Sequence, residues 1–396
     1  MTEPVDGPLR LPQPRTCPYG PPTAYRELHA RRPVSRVTLP NGDSGWLVTG
    51  FAETRDLLAD RRVSADRTRP GFPALLPSPA EGTPLRTLAG MDDPEHHRFR
   101  RMVTSWFTVR RVREMRPALR RLAGSLVDDM ADGARSADLV AAYCLPLPSM
   151  VICEMLGVPY TDHEFFQHRT RTMITADDQA EVVRAATELI GYLGELAEAK
   201  ADRPGQDLIS RLLAEQVSPG RMTRAQLVNM MVLLLGAGHE TLSSSIALGA
   251  ALLAGDAERL AALRTTPEAA VEALVRHTSV TDTVVNRMAT ADIEVAGVRI
   301  RAGDALIFST AVANRDHREH PDPDRLDLSD GHRRHVAFGF GVHQCLGQNL
   351  ARQELEVALT VLFERLPELR VAVPAAELPI KSSPLVNGLK ALPVRW

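Results

Sequence analysis

Phe338-Gly-Phe-Gly-Val-His-Gln-Cys-Leu-Gly347 sets one cysteine in a glycine-rich loop directly ahead of a strong helix, QNLARQELEVALTVLFERL (348–366). The free amides and positive end of a helix N-terminus favour a thiolate, the state in which cysteine ligates metal. Gly341 and Gly347 let the backbone approach a flat, bulky group, and Phe338 is placed to shield the sulfur from water. Cys17, Cys144 and Cys153 stand alone elsewhere in the sequence. Four scattered thiols give neither a secreted disulfide framework nor a paired zinc site, so Cys345 is read as functional and the other three as core packing.

Upstream of the loop, residues 223–254 read as one helix about 45 Å long, in a stretch without proline from Pro219 to Pro267. Its centre is Leu235-Gly-Ala-Gly-His-Glu-Thr-Leu242, where an acid and a hydroxyl interrupt an apolar run. Buried polar groups are costly unless used, and the two glycines weaken the helix and leave room there for a small molecule. Thr241 is expected to bond back to the Ala237 carbonyl. Helical periodicity places further helices near 24–33, 53–60, 94–106, 111–131, 138–156, 162–174, 179–202, 205–215, 256–264, 267–278 and 347–365. A hairpin is predicted over 34–50 around Asn41-Gly42, and a second β element over 292–310, broken at Gly297 and Gly303. Seven of the 29 prolines fall in residues 1–22, which predicts an extended arm. Arg67–Pro84, rich in Pro and Gly, predicts a lid or binding loop.

The chain has 396 residues, 44% hydrophobic and 24% charged, with a net charge of -2, which excludes disordered and fibrous classes and gives no reason for a nucleic-acid partner. The polar start MTEPVDGPLR lacks a secretory signal, and the apolar runs 230–238 and 246–255 are shorter than the roughly 18 residues of a membrane span. A cytoplasmic protein is expected, with no membrane association.

The cysteine loop resembles the haem-binding signature of the cytochrome P450 family, and Cys345 matches its axial thiolate ligand. The resemblance implies a mainly α, single large P450 fold over 1–396, helix-rich with small β-sheets. Haem b (iron protoporphyrin IX) would lie between the long central helix and the cysteine-loop helix. Glu240 and Thr241 match the family's acid-alcohol pair: Thr241 would hydrogen-bond the oxygen at the iron, and Glu240 would help conduct protons to it. Ala237, Gly238, Phe338, Gly339 and Gly347 match positions lining the cofactor. His96 and Arg100, four apart in a helix opened by Pro94, together with Arg287 and His343, match its propionate contacts. The implied activity is that of an actinomycete-type haem-thiolate monooxygenase, inserting one atom of O2 into a C–H bond by hydroxylation or epoxidation. Its substrate would be a mainly hydrophobic small molecule of secondary metabolism or antibiotic biosynthesis. Contacts are expected from Arg67–Pro84, from Leu235, Ala237 and Gly238, from Val280–Val285 and from Pro384–Val386. Neither a flavin nor a nicotinamide fingerprint is present, so electrons would come from an external ferredoxin and ferredoxin reductase. A monomer is expected.

One motif departs from the family. Its late-helix Glu-x-x-Arg pair locks onto an arginine of a following meander, but here Ala273 stands three residues before Arg276 and the acid is Glu272. The meander retains Arg325. Glu272 or a water is expected to substitute, with some loss of stability or haem retention. Residues 98–121 hold nine arginines and one acid, Glu114, a local surplus of +8 that the resemblance assigns to docking an acidic ferredoxin. Two other readings use the same residues: a haem protein that binds ligands or recruits carriers without oxygenase turnover, and an all-helical binding protein without haem.

Overall fold

The computed structural model describes residues 8–73, 75, 86–133, 135–175, 178–329, 334–381, 383 and 386–396. Helix Arg224–Leu253 runs through the core as expected. Thr223 and Gln226 form a reciprocal capping box at its start: Thr223 Oγ1 accepts from the Gln226 amide at 3.2 Å, and Gln226 Oε1 accepts from the Thr223 amide at 2.9 Å. Among the described residues it is the one helix long and apolar enough to cross a membrane, and 67% of its apolar window is buried inside this fold. It stays helical through Gly236 and Gly238, because neighbouring helices support both faces.

The cysteine-loop helix, Gln348–Arg365, packs on the central helix, on the arginine-rich helix Val109–Ala131 and on the late helix Pro267–Thr278. Glycine makes the central crossing close: a Cβ at Gly249 would lie 3.1 Å from Leu359 Cδ1. Tyr143, fully buried, donates its hydroxyl to the Ala358 carbonyl at 2.8 Å and ties a third layer to the same helix. Helix Pro146–Leu156 ends at Gly157, which takes φ +78 where a side chain would be strained.

The six-stranded sheet has the order Leu9–Arg10, Val34–Thr38, Ser44–Val48, Ala305–Phe308, Val285–Ala289, Val63–Ser64. The predicted hairpin is present, with Val34 opposite Val48 and Gly42 at φ +91. The predicted element at 292–310 divides at its glycines: Ile293–Val295 pairs with Val298–Ile300 around Gly297, and Ala305–Phe308 joins the main sheet after Gly303. The described part of the proline-rich arm is docked in extended form, since Leu9–Arg10 pairs with Val37–Thr38 and Leu11 is buried. Two expectations need correction. The helix expected over 138–156 starts only at Pro146, after a strand at Ser136–Asp138 and a π-turn at Val140–Cys144. Cys144 and Cys153 are core residues, whereas Cys17 is exposed.

Candidate functional site

Gly339 and Gly341 fold the cysteine loop by adopting φ +70 and +73. Glycine is required at 341, because a Cβ there would collide with the Leu58 carbonyl. The Cys345 amide closes the loop on the Phe338 carbonyl at 2.8 Å. Gly347, the N-cap of the following helix, donates its amide to the sulfur. Arg352, one turn into that helix, lies 4.5 Å over the Phe338 ring. Arg100 reaches across from helix Glu95–Thr104 and donates to the Gln344 carbonyl at 2.6 Å.

Burial pushes the Cys345 thiol up, against the opposing pull of the Gly347 amide, Arg100 and Arg352. A cation on the sulfur would favour the thiolate further. Cys345 is accessible to water although protein surrounds it, so it opens on an internal chamber. Ala237 has the same character, being exposed in mid-helix between buried Leu235 and His239, with Thr241 half-buried one turn further. Thr241 Oγ1 donates to the Ala237 carbonyl at 2.8 Å, the bond expected from the sequence. Gly238 instead gives its open side to packing, since a Cβ there would meet Ile152 at 3.2 Å. The expected substrate contact from Leu235 is not made, because its side chain is fully buried in the core.

Glu240 faces away from water and is held by two cations: Lys381 Nζ at 2.7 Å from Oε2 and Arg171 Nε at 3.4 Å from Oε1. Lys381 also donates to Ser244 Oγ at 3.0 Å. Burial alone would raise the Glu240 carboxyl, but Lys381, His239 and Arg171 hold it below the usual range. Arg171 is half exposed and borders an open pocket of about 420 Å³ lined by Leu145, Glu164, Gln167, His168 and Thr172. His239 is fixed by Leu235 O at 2.8 Å from Nδ1 and Thr170 Oγ1 at 3.2 Å from Nε2; burial pushes it down, against the opposing charge of Glu240.

His96, Arg100, Arg287 and His343 come together from three separate elements. The His96 and His343 rings lie 4.1 Å apart. Burial, then the charges of Arg287, His96 and Arg100, push His343 down to about 3. Burial also lowers His96, and burial plus the charge of Arg67 lowers Arg287 to about 10. Asp93 Oδ1 lies 3.3 Å from His96 Nδ1, but His96 Nε2 and His343 Nδ1 have no partner among the described residues. So much like charge in a desolvated place calls for anions. A haem fits: its two carboxylates suit this cluster, its iron suits the Cys345 sulfur, and its flat ring suits a chamber walled by Ala237 and the glycine loop.

The late helix resolves the missing acid differently from the expectation. Glu272 is not turned to Arg276; its carboxylate binds Arg352 and lies 2.9 Å from His335 Nε2. Arg276 donates instead to the carbonyls of Asn314 and Pro323 at 3.2 Å and of Arg325 at 3.3 Å. Arg325 thus meets it through its backbone, while its own side chain is exposed beside Asp327.

The cytochrome P450 family model matches residues 173–377. Pentalenic acid synthase of Streptomyces avermitilis is 49% identical over the full length of both chains. The chain is a cytochrome P450. Another relative of this P450 is the 20-oxo-5-O-mycaminosyltylactone 23-monooxygenase of Streptomyces fradiae, 40% identical over 98% of the chain and 92% of that protein. Among solved structures, the mycinamicin VIII C21 methyl hydroxylase of Micromonospora griseorubida superposes with a TM-score of 0.93 at 38% identity, covering 98% of this chain and all of that one. The P450 fold, the haem b cofactor and the monooxygenase class follow from that membership, and the haem-free and turnover-free readings fall with it.

Two of the expected substrate segments meet in this P450. Thr281 and Val386 form a β-bridge, and the Asn387 amide donates to the Val280 carbonyl at 2.6 Å. Residues 74, 76–84, 384 and 385 of the expected contact segments lie outside the described residues. Sequence reasoning missed Lys381, Arg171, Arg352, His335 and the role of Arg67. Lys381 carried one usable signal, being one of three lysines in a chain that otherwise uses arginine.

Proposed function

We propose that this P450 hydroxylates or epoxidises a mainly hydrophobic small molecule in secondary metabolism, with electrons from a ferredoxin and its reductase. The carrying observation is the Cys345 loop, pinned at Phe338, Gln344 and Gly347 beside the four-membered basic cluster. Cys345 would ligate the haem iron. His96, Arg100, Arg287 and His343 would take the propionates, and Ala237, Phe338, Gly339 and Gly347 would line the ring. Haem supplies the activation of dioxygen and the insertion of one of its atoms into the substrate.

The chain's own residues hold and move the protons. Thr241 presents a hydroxyl at the exposed face of the central helix, its proton parked on the Ala237 carbonyl. Glu240 is next to it and reaches bulk water through Arg171 and the open pocket. Release of the carboxylate from Lys381 or Arg171 would let it carry protons inward. Secondary-metabolite tailoring is supported by the relatives, whose names specify pentalenic acid, a mycaminosyltylactone and mycinamicin VIII.

The proximal surface supports the ferredoxin reading in a reduced form. Of the nine arginines, Arg110, Arg116 and Arg120 pair with Glu114, Glu356 and Glu364 at 3.1, 2.6 and 2.7 Å, and Arg100 serves the cysteine loop. Arg98, Arg101, Arg111, Arg113 and Arg121 remain exposed, and so do Val109 and Val342. Exposed arginines in such number suit a small acidic carrier. We place the protein in the cytoplasm as a monomer, where such carriers are found. Turnover of a terpenoid or macrolide panel with ferredoxin, reductase and heavy-isotope dioxygen tests the proposal: one labelled oxygen in the product supports it, and label-free products or none across the panel contradict it.

A further inference from the structure

His29, Asp316 and His317 take no part in the haem site, yet their ligating atoms all lie within 4.8 Å of one another. His29 comes from helix Thr23–Arg31, and Asp316 and His317 follow the short helix Thr310–Ala313. The His29 side chain is 10% exposed and that of Asp316 1%, while His317 lies at the surface. The two imidazole rings stand edge to face with centroids 6.2 Å apart.

Thr49 fixes the state of the His29 ring. Its hydroxyl donates to the Pro33 carbonyl at 3.1 Å, and a hydroxyl has only one proton to give. His29 Nδ1, 3.2 Å from the same oxygen, therefore carries a hydrogen and donates it, which leaves Nε2 of the neutral ring as a bare lone pair. Nε2 is buried without a hydrogen-bond partner and faces Asp316 Oδ1 across 3.7 Å. In either tautomer that gap is too long for a hydrogen bond. Two donors held tetrahedrally by one Zn2+ at about 2.0–2.2 Å stand about 3.3–3.6 Å apart, so the gap suits a metal better than a proton. Asp316 is held ready as well. Its Oδ2 accepts from the Phe51 amide at 2.9 Å and from Arg318 at 2.6 Å, and the Arg318 amide and Nε, both at 3.0 Å, orient Oδ1. Glu53 binds the same guanidinium at 3.0 and 2.8 Å, so two carboxylates face one Arg318 and a negative charge is left over for a cation.

We propose that His29 Nε2, Asp316 Oδ1 and a ring nitrogen of His317 bind one divalent transition-metal ion of the zinc class, with water completing the coordination. Two imidazoles and a carboxylate select such an ion over Mg2+ and Ca2+, which take oxygen ligands. The Thr49 contact is the outer hydrogen bond that keeps His29 in its ligating tautomer. The ion would tie helix Thr23–Arg31, through Asp316, to the start of helix Phe51–Ala59, whose Leu58 carbonyl abuts Gly341 of the cysteine loop. Its role is to brace the fold, so the test does not depend on turnover.

Isothermal titration calorimetry of the tag-free, haem-loaded protein, stripped beforehand with a chelator, uses Zn2+ and Mg2+ alone as probes. Zn2+ should fill a saturable site that Mg2+ does not. His317→Ala and His29→Gln should each lose that site, and Thr49→Val should weaken it by about 10- to 100-fold. His317 is exposed, so its variant should keep the native carbon-monoxide spectrum and metal-free thermal midpoint, which separates loss of a ligand from loss of the fold. Absence of zinc binding by the native protein would overturn the proposal and leave His29 as a protonated partner of Asp316. So would a zinc stoichiometry that either histidine variant leaves unchanged, a zinc affinity indifferent to Thr49→Val, or equal binding of Mg2+.

Discussion

Replacing Glu272 by Gln tests how the cysteine loop is held. Burial would raise the Glu272 carboxyl, but hydrogen bonds from His335 and Arg352 bring it down from 4.5 to about 2. At about 1.4 kcal/mol per pKa unit, the carboxylate stabilises the fold by about 3 kcal/mol at neutral pH. The residue is 3% exposed, so solvent screening removes little of this. The sign follows from the depressed value: the stabilisation is complete above about pH 4.5 and is lost as pH falls towards 2. By pH 4 the loss amounts to about 1 kcal/mol. Urea unfolding of the haem-loaded protein, followed by tryptophan fluorescence, should show Glu272→Gln less stable by about 3 kcal/mol near pH 7, with a narrower gap near pH 4. Because Arg352 covers Phe338, whose carbonyl receives the Cys345 amide, the variant should also lose haem faster. A difference below about 1 kcal/mol near pH 7, or a gap that does not narrow on acidification, would refute the reasoning.

Three further outcomes are expected. Ala273→Glu, which restores the family's acid, should not raise the thermal midpoint, because Ala273 is 3% exposed in a packed core and Arg276 is already held by three carbonyls; a gain of several degrees would show that those carbonyls leave the charge poorly compensated. Lys381→Met removes the nearer cation from Glu240, so the carboxyl should titrate at higher pH and the acidic limb of the pH–rate profile should move up by about one unit or more; an unmoved limb would detach Glu240 from the proton path. Ferredoxin-driven reduction should slow steeply when ionic strength exceeds the point where the Debye length falls below about 8 Å, and Arg113→Glu with Arg121→Glu should flatten that dependence. A rate indifferent to salt would remove the arginine face from the docking surface.

The parts of this molecule most legible from sequence were those with a local physical cause. Gly339, Gly341 and Cys345 show in sequence because a tight loop and a sulfur ligand need those residue types within a few positions of each other. The central helix was legible because apolar residues run through a stretch without proline from Pro219 to Pro267. Strand Val285–Ala289, with Asn and Arg at its centre, shows no clean alternation, so its place beside Ala305–Phe308 emerges only from sheet pairing. The partners of Glu240 and Glu272 were hidden for a related reason. Lys381 is 141 residues from Glu240, and Arg352 is 80 from Glu272, so both pairs are products of tertiary packing. Ala273, standing where the family has an acid, drew attention to the right helix, but which cation claims Glu272 is decided by the neighbouring cysteine-loop helix.

The central claim is that Cys345 holds haem as a thiolate, and the reduced carbon-monoxide difference spectrum of the native protein beside Cys345→Ser tests it most directly. The native protein should give the red-shifted Soret band of a thiolate-ligated ferrous carbonyl complex, and Cys345→Ser should lose that band while remaining folded. A native spectrum without the red-shifted band, or a red-shifted band that persists in Cys345→Ser, would contradict the account.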